Sequence, residues 1–221
     1  MESKTKSYIA FFDIDRTILS VNSGSVLVRE AYKRGLISTS GLLNAIFLSL
    51  LFKFHLMNTF LIISRMGKWL RGLKVEDVEV ISQQIVNKYL LDAIRPEIYS
   101  EIRFHKENNA EVVILSSSIP EICRPLYSHL GFDNFICTVM ELADGIFTGR
   151  PETTFCFEDE KRVRLKEYCR TGNYNTREAF YYGDSISDLP ALEVVGHPVC
   201  VSPDKKLKRI ALARGWRICD W

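Results

Sequence analysis

The sequence predicts an α/β fold, a parallel sheet covered by helices, with an all-helical block inserted after the first strand. Three observations carry this. Tyr8 to Phe12, Val112 to Leu115 and Ala179 to Tyr182 are short apolar or aromatic runs, the mark of strands buried on both faces. Beyond Glu111 such runs alternate with helical patterns, as a parallel sheet requires. Between the first run and Pro96 the pattern is helical instead. The core therefore comprises residues 1–17 and 96–221, and the helical cap residues 18–95.

The first strand runs straight into Asp13-Ile14-Asp15-Arg16-Thr17. Strand side chains alternate, so Asp13 and Asp15 share a face if the strand continues. In parallel α/β sheets chemistry collects beyond the carboxyl ends of strands. Two acids there suit a hard cation such as Mg2+. They also suit a division of labour, in which one acid attacks and the other shuttles protons. The alternative is a helix start capped by Asp15 or Thr17.

Within the insertion, Val26 to Arg34 is a helix that Gly35 can close. Leu42 to Ile63 is the most apolar stretch, and its 22 residues are long enough to span a bilayer. Lys53, His55 and Asn58 interrupt it, however, and a central Lys costs roughly 3 kcal/mol. The segment is expected to supply cap helices, with contact to lipid or an apolar substrate as the lesser reading. Arg65 to Arg71 and Val75 to Leu91 continue the helical pattern, and Glu97 to Asn108 leads into the second strand.

In the second half, Ser116-Ser117-Ser118 ends the second strand, and a helix follows from Ile119 to Leu130. Phe135 to Leu142 and Ile146 to Thr148 read as a hairpin turning at Asp144-Gly145. Glu158 to Cys169 is an amphipathic helix. Ala179 to Tyr182 ends in Gly183-Asp184-Ser185-Ile186-Ser187-Asp188, and strands at Pro198 to Val201 and Trp216 to Ile218 flank a helix from Asp204 to Arg214.

Bulk electrostatics are quiet. Charged residues make up 25% of 221, and the net charge is +2, which offers no field for a nucleic acid. The six cysteines lie far apart, without a C-x-x-C pair or a His spaced for zinc. Residues 1–7 and the short strand after them do not form a secretory signal. Reduced thiols in a cytoplasmic protein are the expectation.

Three strands thus end in polar groups: Asp13 and Asp15, then Ser116, then Asp184 and Asp188. Phosphoryl transfer fits this set, because it needs an in-line oxygen nucleophile, a cation and hydrogen-bond donors. Lys161, opening a helix in Glu158-Asp159-Glu160-Lys161-Arg162, is the candidate protein cation; its plainer role is a solvated helix-face lysine.

These residues carry a resemblance. The sequence resembles the haloacid dehalogenase superfamily of aspartyl-phosphate phosphohydrolases, subfamily IB, the phosphoserine-phosphatase-like group. Its D-x-D-x-T motif matches Asp13 to Thr17, its Ser after a buried strand matches Ser116, its helix-opening Lys matches Lys161, and its G-D-x-x-x-D matches Gly183 to Asp188. Gly196 to Asp204 also looks like that group. The resemblance implies a Rossmann-like core with an inserted cap. It also implies a Mg2+-dependent phosphatase in which Asp13 attacks phosphorus and Asp15 is the acid and base. The metal would be held by Asp13, the backbone carbonyl of Asp15 and Asp184, with Asp188 helping directly or through water. Ser116 and the Ser117 N–H would bind the phosphoryl group, Lys161 would balance the acids, and Thr17 would order the first loop.

The chain departs from that group at the substrate end. Ser117-Ser118 stands where phosphoserine phosphatases have Gly-Gly, and the neutral Asn22 where they place a Glu for the substrate ammonium. Arg65 is the nearest candidate for the Arg that grips the substrate carboxylate. A small phosphorylated metabolite is the expected substrate. Asn22 and the greasy cap keep a lipid headgroup such as phosphatidylglycerophosphate open as an alternative. A phosphotransferase on the same frame also stays open, whereas Asp15 argues against dehalogenation. A non-catalytic binding protein would have no need of all these positions.

Overall fold

In a computed structural model, residues 6–53 and 67–221 are described. The principal sheet has six parallel strands: β1 (Tyr8–Phe12), β2 (Ala110–Leu115), β3 (Asn134–Ile136), β6 (Phe180–Gly183), β7 (His197–Val201) and β8 (Arg217–Cys219). Their order is β3-β2-β1-β6-β7-β8. β1 lies between β2 and β6, with Phe12 opposite both Ile114 and Tyr182. That register explains why three motifs distant in sequence meet: each begins just past the carboxyl end of one of three neighbouring strands.

Alternation along the strands fills two cores. Ala10, Phe12, Val112, Ile114, Tyr182 and Val199 point to one face. Ile9, Phe11, Val113, Leu115, Tyr181 and Cys200 point to the other. The first is covered by α4 (Pro96–Glu107) and α5 (Pro120–Leu130), the second by α6 (Asp159–Thr171), α7 (Leu189–Leu192) and α8 (Lys205–Arg214). Gly196 fits here because a Cβ would lie 1.6 Å from the Arg177 carbonyl oxygen.

The stretch between β1 and β2, the expected insertion, is joined at its two ends. Leu19 forms an antiparallel bridge with Ile94, and Arg95 N–H donates to Ile18 O at 3.0 Å. Inside it lie α1 (Ser23–Lys33), α2 (Thr39–Lys53), a short 3-10 turn (Gly67–Leu70) and α3 (Val75–Ile85). The helix expected from Val75 to Leu91 instead widens after Ile85 into a π-type turn, Val86–Leu90. Among the described residues no helix is long and apolar enough to cross a membrane. The expected stretch from Leu42 to Ile63 is described only as far as Lys53, and Arg65 lies outside the described residues.

The hairpin differs from expectation. Phe135 and Ile136 pair with β2 in the main sheet, so the expected strand from Phe135 to Leu142 divides in two. The hairpin proper is β4 (Met140–Ala143) and β5 (Ile146–Pro151). It does turn at Asp144-Gly145, both at positive φ (50° and 76°). Backbone bonds stitch it to the insertion: Gly72 N–H to Phe147 O, Phe147 N–H to Leu73 O and Val75 N–H to Gly145 O, each 2.9 Å. Leu70, Val78, Met140 and Phe147 pack beneath these bonds.

His105 of α4 is fully buried against β1 and β6. Tyr182 gives its hydroxyl proton to Glu101, so His105 Nε2 donates to that hydroxyl (2.8 Å) and Nδ1 accepts from Tyr8 (3.0 Å). Burial lowers its pKa from 6.5 to about 4. The unfolded chain takes up this proton first, so the neutral ring stabilises the fold above pH 6.5 and loses that advantage as pH falls toward 4. Wild type should therefore lose up to about 3 kcal/mol of its advantage over His105→Gln between pH 7 and 4. Urea unfolding of both proteins measures this, and a constant difference would contradict it.

Candidate active site

The strand β1 stops at Phe12, and the chain enters a wide turn, Ile14–Ile18. Asp15 has extended torsions (φ −70°, ψ 121°) and Arg16 is left-handed (φ 62°). The shared face expected for Asp13 and Asp15 is thereby lost. The Asp13 side chain points into the acidic cluster, while Asp15 turns toward the start of α1. There Asp15 Oδ1 accepts from Ser23 N–H and Oδ2 from Asn22 Nδ2, both at 2.8 Å. The helix cap offered to Asp15 or Thr17 belongs instead to Asn22, whose Oδ1 accepts from Ser25 N–H at 2.8 Å. Thr17 is buried, and its hydroxyl has no partner among the described residues.

Lys161 is not a solvated lysine. It is 3% exposed, and its Nζ donates to Asp13 Oδ1 (2.8 Å), Asp188 Oδ1 (2.7 Å) and the Tyr181 hydroxyl (3.2 Å). Tyr181 in turn donates to Asp188 Oδ1 at 2.7 Å. Asp188 Oδ2 takes the N–H groups of Asp184 (3.2 Å) and Ser185 (3.3 Å), so both its oxygens are engaged. Gly183 lets this loop close on itself: a Cβ there would lie 2.7 Å from Asp188 Cβ. Asp204, which caps α8, also accepts from Ile186 N–H at 2.9 Å and braces the same loop.

Asp13, Asp184 and Asp188 each offer a carboxylate oxygen within 4.8 Å of the others, and all three are buried. Burial, with Asp188 and Asp15 adding repulsion and Lys161 opposing it, pushes Asp13 up to about 7. Burial and the neighbouring Asp188 and Asp13 push Asp184 up to about 8. Burial also works against the Lys161 ammonium, but Asp13 and Asp188 hold its pKa well above the ordinary lysine value. One lysine thus faces three acids, and among the described residues no donor reaches Asp13 Oδ2 or the Asp184 carboxylate. Hard oxygen donors with an excess of negative charge fit a hard divalent cation.

Ser116 is buried at the end of β2, and its Oγ accepts from Ser118 N–H at 3.3 Å. Ser117 is exposed beside it. Ser23 Oγ and Ser118 Oγ lie 3.5 Å apart, which links the loop after β2 to α1. The structure therefore brings together Asp13, Lys161, Asp184 and Asp188, and places Asp15 with Asn22 at the head of α1. Tyr181 and Ser23 went unread in the sequence. Tyr181 had one signal, since a phenol in a buried strand needs a hydrogen-bond partner.

A family model, haloacid dehalogenase-like hydrolase, matches residues 10–193, from β1 to beyond Asp188. The chain belongs to the haloacid dehalogenase-like hydrolase family. It is 33% identical to the inhibition of morphological differentiation protein of Streptomyces azureus, over 96% of this chain and 78% of that one. It is 31% identical to a probable phosphatase of Mycobacterium tuberculosis, over 96% and 75%. A phosphoserine phosphatase solved as a phospho-aspartyl intermediate analogue superposes with a TM-score of 0.71 at 19% identity, covering 97% of this chain and 93% of that one. That last likeness is one of fold.

Proposed function

We propose that this hydrolase is a Mg2+-dependent phosphatase that cleaves a phosphate monoester through an aspartyl-phosphate on Asp13. The carrying observation is the state of the Asp13 carboxylate: Oδ1 is held by Lys161, and no donor among the described residues reaches Oδ2, at the end of the central strand. In this reading Asp13 attacks phosphorus, its new O–P bond forming as the ester O–P bond breaks. Asp15 gives its proton to the departing alkoxide, then takes one from the water that hydrolyses the aspartyl-phosphate.

Asp13, the Asp15 carbonyl and Asp184 would hold the metal, and Asp188, with both oxygens occupied, would fix Lys161 and the loop around it. The ion would offset repulsion between the acids and the phosphate. Ser116 and the Ser117 N–H would donate to phosphoryl oxygens, with Thr17 as a further hydroxyl beneath the turn. The name of the Mycobacterium tuberculosis relative supports the phosphatase assignment.

A small phosphorylated metabolite is the primary substrate class. Asn22 gives no carboxylate for an ammonium, and its amide is already engaged with Asp15, which weighs against phosphoserine itself. Arg65 remains the candidate for a substrate carboxylate. One observation favours a lipid headgroup as the second reading: Leu43, Ile46 and Phe47, at helical spacing on α2, are 61%, 48% and 57% exposed.

Phosphate release is measured from phosphoserine, glycerol 3-phosphate, an aryl phosphate and phosphatidylglycerophosphate in detergent, with Mg2+ and with chelator. Release that needs Mg2+ is expected. A preference for the lipid would move the assignment to the second reading. Release undiminished by chelator would remove the metal role, and no release from any ester would remove the phosphatase assignment.

A further inference from the structure

We propose that Asn22 is a positioning residue that holds the Asp15 carboxylate in the orientation for proton transfer. This rests on the acid and base role of Asp15 given above. The resemblance of the sequence had placed Asn22 against the substrate. The geometry places it against the enzyme's own carboxylate.

Three features carry the inference. First, the backbone of the turn does not reach the Asp15 carboxylate. Arg16 N–H to Val21 O (3.2 Å), Ile18 N–H to Asp13 O (3.3 Å) and Leu19 N–H to Ile14 O (2.9 Å) hold the chain on either side of Asp15, whose own torsions are extended, and leave its side chain to donors from elsewhere. Second, two donors from one element take both its oxygens: Ser23 N–H holds Oδ1 and Asn22 Nδ2 holds Oδ2, each at 2.8 Å. A carboxylate gripped at both oxygens cannot rotate about its last bond without breaking one of them.

Third, the Asn22 amide can face only one way. Its Oδ1 accepts from Ser25 N–H at 2.8 Å and from Ser25 Oγ at 2.9 Å. Turned over, its NH2 would oppose the Ser25 N–H and its carbonyl would oppose Asp15, losing a good bond on each side. The cap of α1 therefore sets the amide, and the amide sets the acid. The same helix start buries Ser23, whose hydroxyl lies 3.5 Å from that of Ser118 in the loop beside Ser116. The orientation of Asp15 is thus tied to the loop that would receive the phosphoryl group.

In the first half-reaction the O–P electron pair leaves with the alkoxide oxygen, and the proton on Asp15 moves to it. Geometry governs that transfer, because proton donation contributes only when donor and acceptor meet within hydrogen-bond reach as the bond breaks. An aryl oxide departs with little need of a proton. A loose Asp15 should therefore slow alkyl esters selectively.

The test uses Asn22→Ser and Asn22→Asp, which both keep an oxygen able to cap α1. Serine is too short to reach Asp15, and aspartate presents a second carboxylate in place of the donor. The parameter is kcat/KM, which ends at departure of the alcohol, for the best alkyl ester of the panel and for p-nitrophenyl phosphate. We expect kcat/KM on the alkyl ester to fall roughly 10- to 100-fold and on the aryl ester by no more than about threefold, with Asp15→Asn giving the same selectivity on a larger scale. The thermal unfolding midpoint of both variants should stay near that of wild type.

Equal losses on the two esters, or no loss on either, would overturn the positioning role while leaving the phosphatase assignment in place. A wild-type protein silent on every ester would remove that assignment, and this proposal with it.

Discussion

Asp13→Asn is expected to abolish phosphate-ester turnover while leaving the protein folded. The amide oxygen can still accept from Lys161 at the 2.8 Å contact, so the buried cluster keeps its arrangement. What disappears is the carboxylate oxygen that no donor among the described residues reaches, and an amide is no nucleophile toward phosphorus. By comparison with removal of other enzymic nucleophiles, a loss on the order of 10⁵-fold or more is expected in kcat. Stability should hold or rise. Burial and two neighbouring acids already push Asp13 up to about 7, so a neutral side chain relieves repulsion that the charged form suffers. Phosphate release and thermal unfolding, measured on the same preparation, check both halves. Rates like wild type in Asp13→Asn would sink the proposed mechanism.

Lys161→Met is expected to cost both activity and stability. The ammonium sits between Asp13 and Asp188 at 2.8 and 2.7 Å, almost out of contact with water. Its removal strands buried carboxylates without a counter-charge, and breaking a buried pair in this way typically costs about 3–5 kcal/mol. The pH dependence has a definite sign. Acids whose folded pKa lies above the unfolded value lose stability as pH rises, because the folded site must then ionise against burial. In Lys161→Met that effect grows, so the deficit relative to wild type should widen between pH 5 and 8. Urea unfolding without divalent cation measures it. A deficit that shrinks over that range would show that Lys161 does not balance these acids.

How far the site was legible in the sequence depends on the range of the interactions involved. Asp13, Ser116 and Asp184 could be found because each follows a short apolar run, and a parallel sheet gathers the ends of such runs. The position of Lys161 at a helix start was legible too, but its burial was not. Its charged neighbours in sequence describe a solvated face, and only the fold of α6 against β6 takes it to Tyr181 and Asp188. Tyr181 itself looked like one more aromatic of a buried strand. The division of Phe135 to Leu142 into β3 and the first arm of a hairpin escaped for a related reason. Ile136 is claimed by β2 through a tertiary pairing that outweighs local continuity.

Asn22 and Asp15 show the same limit from the other side. Seven residues apart, they would be read as a strand-end acid and a substrate contact. The left-handed Arg16 folds the chain back so that the two side chains meet.

The sequence by itself determined the α/β class, the order of the principal elements and the strand ends at which Asp13, Ser116 and Asp184 stand. All of these follow from periodicity and from short motifs at strand ends. Tertiary structure alone decided which acids face one another, which are held by the protein and which keep oxygens to offer a metal. It also decided that the insertion is bonded through its backbone to the β4-β5 hairpin. The physical reason is that hydrogen bonds and ion pairs depend on distances of a few ångströms between groups up to 148 residues apart, as between Asp13 and Lys161, and local pattern does not encode those distances.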